Sequence, residues 1–327
     1  MIGPTLPTQS DSSTPQEQGE LYALHLRLHA LEQGLISARL GHQLLAAFLD
    51  IVNQNDPALA KHLHLPNCRR PFTVGLLQGF NSLSAKQMEK AQEERRKLPV
   101  QPGQVYWLRI TMLNATVFHT FVQHLLSHPQ KFIIRLEGTR FEVSRLLLSN
   151  ETEQDQNWIG FSSFARLNQQ RPQRSYTFEF ATPTAFSFGQ RSWGKRLQLL
   201  PEPGYVFEHL AKQWEEFAPE SLRMATKDIK PYNLAAWCEE QMIVTGYTLR
   251  TVPLPFAQLI ESGFQGTISY EVKGNRHEPE ASWLSPLAGF ALFCGIGTKT
   301  AMGMGQARCT NLQSLECKRQ GNPGTGI

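Results

Sequence analysis

The chain has 327 residues, 41% of them hydrophobic and 18% charged, with a formal net charge of +4. That length accommodates two ordinary domains with separate cores, and no apolar run approaches the roughly 20 residues of a membrane span. Five scattered cysteines (Cys68, Cys238, Cys294, Cys309 and Cys317) without a CxxC argue against a disulfide framework or a zinc site, so no metal and no cofactor is expected.

The first 19 residues are rich in Ser, Thr, Pro and Gln, with no basic start and no apolar core, and read as a disordered tail on a cytoplasmic protein. Leu21 to Leu31 then alternates: Tyr22, Leu24, Leu26 and Leu28 lie on one face, His25, Arg27 and His29 on the other, as in a half-buried strand. Ser37 can cap a helix running to about Asn53, with Leu40, Leu44, Phe48 and Ile51 at helical spacing. Asp56-Pro57 starts a short helical turn, and Arg69-Arg70-Pro71 precedes a strand from Phe72 to Leu77. The charged segment from Lys86 to Pro102 reads as an exposed loop or frayed helix. Val105 to Leu113 is a strand, Thr116 to Ser127 a helix, and Phe132 to Leu136 and Phe141 to Leu148 are strands.

A second pass begins near Arg174. Tyr176, Phe178 and Phe180 alternate on a strand, Val206 to Phe217 forms a helix, and Ile243 to Val252 and Phe264 to Val272 are strands. A helix from Trp283 to Cys294 and a closing strand from Met302 to Cys309 complete it. Each pass reads β, α, β, β, α, β, the first with one extra strand. The fold class is therefore α+β, two tandem ferredoxin-like (RRM-like) units. The expected boundaries are an N-terminal domain over 20–150, a linker over 151–173, a C-terminal domain over 174–312 and a tail over 313–327.

Two stretches carry chemistry. Between the last helix and the closing strand, Gly295, Gly297, Gly303 and Gly305 surround Lys299 and Thr300. Repeated glycine permits positive φ and close approach to a ligand, and a loop beside a helix end with a lysine can hold phosphates. The GxGxxxxxGxG spacing is neither the dinucleotide fingerprint nor the P-loop pattern, and it also suits a glycine-rich turn with no ligand. Between Gly160 and Leu200, six basic residues (Arg166, Arg171, Arg174, Arg191, Lys195 and Arg196) face a single acid, Glu179, with Phe161, Phe164, Tyr176, Phe186 and Trp193 interleaved. Cations for phosphates and flat rings for bases suit single-stranded nucleic acid. A solvated loop beside core aromatics is the plainer alternative.

With tandem ferredoxin-like units and this glycine loop before the last strand, the chain resembles the sixth Cas family, the CRISPR-associated endoribonucleases that cut precursor CRISPR RNA within its repeats. The resemblance runs from about Leu21 to Arg308. Asp56-Pro57-Ala58-Leu59-Ala60-Lys61-His62-Leu63-His64, followed by Arg70-Pro71-Phe72-Thr73, looks like a second family stretch, and Phe180-Ala181-Thr182-Pro183-Thr184-Ala185-Phe186 like a third. Residue by residue, it implies a catalytic histidine at His64 and a basic partner at Arg70. Where some members have a tyrosine on the preceding helix, this chain has Phe48 and Leu49. Other members have a histidine early on that helix, and His42 fills that place as the reserve.

The implied reaction is metal-independent. A base takes the proton of the RNA 2′-hydroxyl, the oxygen attacks the adjacent phosphorus, and the 5′-oxygen of the next nucleotide leaves, giving a 2′,3′-cyclic phosphate and a 5′-hydroxyl. An imidazole titrates near neutral pH and suits the base. Arg70 and Arg69 suit the growing phosphorane charge, whereas an arginine stays protonated and makes a poor acid, so a water or second histidine protonates the leaving group. Gly295, Gly297, Lys299, Thr300, Gly303 and Gly305 are the expected RNA-backbone contacts, and Arg69, Arg174, Arg191, Lys195 and Arg196 the expected stem or flank contacts. The implied partners are CRISPR repeat RNA and other CRISPR effector subunits, with no membrane. A non-catalytic RNA-binding subunit of an effector complex shares the fold and is the alternative.

Overall fold

The computed structural model describes residues 20–312 except 39, 67, 81–82, 95, 128–131, 149–157 and 257–258. The two expected tails and the start of the expected linker lie outside the described residues. In chain order the first half contains β1 (Glu20–Ala30), β2 (Gly34–Ser37), α1 (Gly41–Asn55), α2 (Pro57–Leu63), β3 (Phe72–Val74), α3 (Ala85–Glu93) and β4 (Lys97–Val100). It continues with β5 (Val105–Met112), α4 (Ala115–Ser127), β6 (Ile133–Leu136), β7 (Thr139–Leu147), β8 (Gly160–Ser163) and α5 (Phe164–Asn168).

The main sheet runs β3-β5-β1-β7-β6, every pair antiparallel, and β8 pairs the first residues of β1. This is the ferredoxin-like order. The alternation of β1 sends Leu24, Leu26 and Leu28 into one core with Leu44 and Phe48 of α1 and Phe121 of α4. Ser37 does not cap α1. It ends β2, its N–H donates to the Glu137 carboxylate at 2.9 Å, and the helix starts at Gly41. Asp56 does cap α2, accepting from the Leu59 N–H at 2.9 Å, with Pro57 in the first turn where its missing N–H costs little. The segment expected as loop or frayed helix is ordered structure: Ser84 and Gln87 close a capping box on α3, and β4 pairs with β2.

The second half contains β9 (Ser175–Thr184), β10 (Phe186–Arg191), β11 (Gly194–Gln198), α6 (Pro203–Phe217), α7 (Pro231–Gln241), β12 (Met242–Phe256), β13 (Leu259–Val272), α8 (Ala281–Cys294) and β14 (Ala307–Cys309). Its sheet, β12-β13-β9-β14, repeats the same order. The closing strand starts at Ala307 and not at Met302, because the intervening residues belong to the glycine loop. Nor is the described part of 151–173 a simple linker, since β8 extends the first sheet and Phe164 and Leu167 of α5 join the second core.

Eleven of the fourteen residues of α8 are buried, and only a narrow stripe of Ser282, Gly289 and Leu292 reaches solvent, so the helix must be covered on nearly all sides. On the second-sheet side, Tyr176 of β9 shares a 2.9 Å hydrogen bond with Ser285. On the first-sheet side lie Leu21, Ala23 and Leu113, which belong to the same core as Leu287 and Phe290. Strand β5 also caps the helix. Arg109 Nη2 donates to the Leu292 carbonyl at 2.7 Å and its Nε to the Trp158 carbonyl at 2.7 Å. The Thr111 hydroxyl donates to the Phe293 carbonyl at 2.5 Å, which leaves Thr73 to donate to Thr111 at 2.7 Å. The last-turn carbonyls of α8 thus find donors in the other half of the molecule. Burial, then the nearby Arg308 cation, lowers the Arg109 guanidinium to about 9, which still leaves it charged at neutral pH. Arg109→Met, of similar length but without donors, leaves the Leu292 and Trp158 carbonyls unpaired. It is expected to lower stability by about 2–4 kcal/mol in a urea titration.

Candidate nucleic-acid interface

The glycine loop leaves α8 at Gly295 and is pinned at once. The Gly295 N–H bonds the Ala291 carbonyl at 3.0 Å, the Ile296 N–H the Gly305 carbonyl at 2.8 Å, and the Thr298 N–H the Ala185 carbonyl at 2.9 Å. The Gly305 N–H reaches Pro183 of β9 at 3.0 Å. A Cβ on Gly305, at φ +71°, would lie 2.2 Å from the Ile296 carbonyl oxygen, and one on Gly297 2.5 Å from that of Ala185. These glycines are therefore needed for backbone packing, and several N–H groups expected to face a phosphate are already used. Lys299 sits in the left-handed region at φ 58°, so the chain turns sharply there.

The tip of the loop enters the first half of the molecule. Ala301 belongs to the first core. A Cβ on Gly303 would meet the Leu76 side chain, and one on Gly41 would lie 2.4 Å from the Met302 carbonyl oxygen. Gly41 opens α1, whose N-terminus has no side-chain cap and no acidic residue in its first turn. The next residue is His42, exposed on that first turn. The loop that carries Lys299 thus packs, through Met302, against the first turn of α1, where Gly41 precedes His42, and such a helix end attracts anions.

His64 stands differently. It is exposed at the end of α2, its N–H bonded to the Ala60 carbonyl at 3.0 Å. Among the described residues no hydrogen bond, ion pair or ring contact ties it to the glycine loop. Arg70, half-buried before β3, has its guanidinium lowered by desolvation. Arg69 faces the second half, where with Gly297, Thr298, Phe186, Phe188, Tyr205, His209 and Lys212 it lines a pocket of about 300 Å³.

The basic run between Gly160 and Leu200 divides. Arg191, Lys195 and Arg196 sit on the β10–β11 hairpin, with Trp193 71% exposed at its tip and Arg196 over the Phe188 ring at 5.4 Å. Arg174 lies before the opposite end of β9 and pairs with Glu271 at 2.9 Å, the length of a ten-residue strand from the hairpin, about 33 Å. A single strip from Arg166 to Arg196 does not form. Residue-level reading also missed His209 and Lys212, which lie on the expected Val206–Phe217 helix. A histidine and a lysine on an amphipathic helix give no local signal, because the walls they face come from Arg69, β10 and the loop.

Two family models match the chain: "CRISPR Cas6 N-terminal domain" over residues 22–169 and "CRISPR-associated endoribonuclease Cas6" over residues 178–307. The chain belongs to the Cas6 family. A relative from Mycobacterium tuberculosis, named CRISPR-associated endoribonuclease Cas6, is 28% identical over 186 residues. That match takes in 57% of this chain and 52% of the relative, so it spans about half the relative's length. Among solved structures, a Cas6 product complex is 27% identical with a TM-score of 0.63, covering 89% of this chain and 99% of that one. Thermus thermophilus Cas6 shares the fold at 24% identity, with a TM-score of 0.63 and the same coverage. No helix of the described residues is long and apolar enough to cross a membrane.

Within this Cas6 fold one half-buried histidine, its Nε2 shut from solvent, makes stability depend on pH. Burial first, then the Arg69 and Lys212 cations, depress the His209 imidazole to about 3 from its ordinary 6.5. Between those values the unfolded chain binds a proton that the folded chain does not, so stability falls as pH drops through that window. His209→Phe should flatten this slope. The measurement is the urea midpoint of variant and wild type against pH, whose difference removes the shared carboxylate titrations.

Proposed function

We propose that the chain is a metal-independent endoribonuclease that cuts precursor CRISPR RNA within its repeats, with His42 as the general base. The observation that supports this reading is the contact of Gly41, the residue before His42, with the carbonyl of Met302 in the loop that carries Lys299, at the N-terminus of α1. Related solved chains are titled product and substrate-mimic complexes, which supports an RNA ligand for this fold.

In the proposed reaction, the scissile phosphate rests against the first turn of α1 and Lys299. His42 accepts the 2′-hydroxyl proton, the 2′-oxygen bonds to phosphorus, and the P–O5′ bond breaks. The first-turn N–H groups, Lys299 and Arg70 stabilise the charge that builds on the phosphorane oxygens, commonly the largest catalytic contribution. The proton delivered to the 5′-oxygen comes from water or a second histidine. RNA supplies its own nucleophile, so no step calls for a metal. The β10–β11 hairpin, with Arg191, Lys195, Arg196 and exposed Trp193, takes the repeat's stem or flank.

The test is cleavage of the repeat RNA from the same genome in EDTA. Wild type should cut and leave a 2′,3′-cyclic phosphate and a 5′-hydroxyl, and a 2′-deoxy at the cut should abolish the reaction. His42→Ala is expected to lose about 10²–10⁴-fold in rate, and His64→Ala to stay near wild type. The opposite pattern moves the base to His64. Tight binding without cleavage by wild type makes the chain a non-catalytic effector subunit. Binding should also weaken with salt, as phosphate neutralisation releases counterions.

A further inference from the structure

The pocket beside the glycine loop has a composition that phosphate binding alone does not explain. Arg69 and Lys212 supply cations, and the Glu208 carboxylate lines the same pocket, paired with Lys212 at 2.8 Å. Phe188 and Tyr205 meet edge to face at 5.3 Å and form an aromatic wall. His209, whose ring lies 6.3 Å from that of Phe186, keeps its Nε2 shut away from solvent and, among the described residues, without a hydrogen-bond partner. A buried polar atom left unpaired is costly, and its persistence at a pocket is a reason to look for a ligand. The ring stays neutral at physiological pH, because burial and the two cations oppose its protonation. A neutral imidazole offers one donor and one acceptor, the complement of a base edge and not of a second phosphate.

We propose that this pocket receives one unpaired nucleotide of the bound RNA, its base against Phe188 and Tyr205 with an edge on His209, and its phosphate between Arg69 and Lys212. Gly297 and Thr298 line the same pocket and directly precede Lys299, so the nucleotide lies within a short stretch of RNA from the cut. Flat rings give affinity for any base, whereas a single fixed polar atom discriminates among base edges. The pocket is therefore a specificity-determining subsite. This rests on the RNA-cleaving reading above.

The experiment is a binding cycle with the repeat RNA, intact and with an abasic site at each unpaired position in turn, against wild type and His209→Phe. In wild type one abasic position should weaken binding roughly tenfold. In His209→Phe that position should cost little, because protein and base changes remove the same contact. Phe188→Ala, on a partly exposed hairpin ring, repeats the cycle should His209→Phe not fold. Arg69→Ala should weaken intact and abasic RNA alike and take about one unit off the salt slope. If wild type binds the repeat and every abasic cost is unchanged in the variants, the pocket proposal falls and the RNA reading stands. If wild type binds no repeat RNA, both fall together.

Discussion

The burial of α8 between the two sheets is the constraint on which the rest of the molecule depends. A helix with apolar residues on every side cannot sit on a surface, so the second half must close over one side of it and the first half over the other. Two of its last-turn carbonyls, those of Leu292 and Phe293, bond to side chains of the other half. They are satisfied by Arg109 and Thr111 of β5, which fixes the rotation and depth of the helix and not merely its presence. The glycine loop leaves a helix end already held by both halves. It is then locked by bonds to Pro183 and Ala185 on one side and by packing on Leu76 and Gly41 on the other.

That lock gives the glycines a role different from cradling phosphate. Gly297 and Gly305 allow close backbone passage against Ala185 and Ile296, and Gly303 and Gly41 allow it against Leu76 and Met302. The result is indirect: close packing sets the tip of the loop that carries Lys299 against the start of α1. Charge follows the same plan. Arg69 and Lys212 come from separate elements and meet beside Gly297 and Thr298 only through the fold.

Much of the fold was legible in the sequence because its signals are local. The alternation of Leu24, Leu26 and Leu28, the Asp56-Pro57 cap and the mostly apolar α8 each announce an element within a few residues. Elements defined by long-range pairing were not. β2 pairs with β4 across α1, α2 and α3, and neither strand has an alternation long enough to stand out. The site divides the same way. The glycine loop shows in its spacing, and a local motif points to His64, but the contact of Gly41 with Met302, which sets the start of α1 against the loop, joins opposite ends of the chain and leaves no local signal. Arg174 and Arg191 look like one basic run in the sequence, and β9 separates them by its full length.

The central claim is that the scissile phosphate lies at the N-terminus of α1 beside the glycine loop. The most direct test is the structure of the chain bound to repeat RNA blocked by a 2′-O-methyl group at the cut. The account predicts a His42 ring nitrogen within hydrogen-bond reach of that 2′-oxygen, about 3 Å, with the adjacent phosphate on the first-turn N–H groups of α1 and Lys299. A blocked phosphate lying instead against His64, away from α1 and the loop, would contradict it.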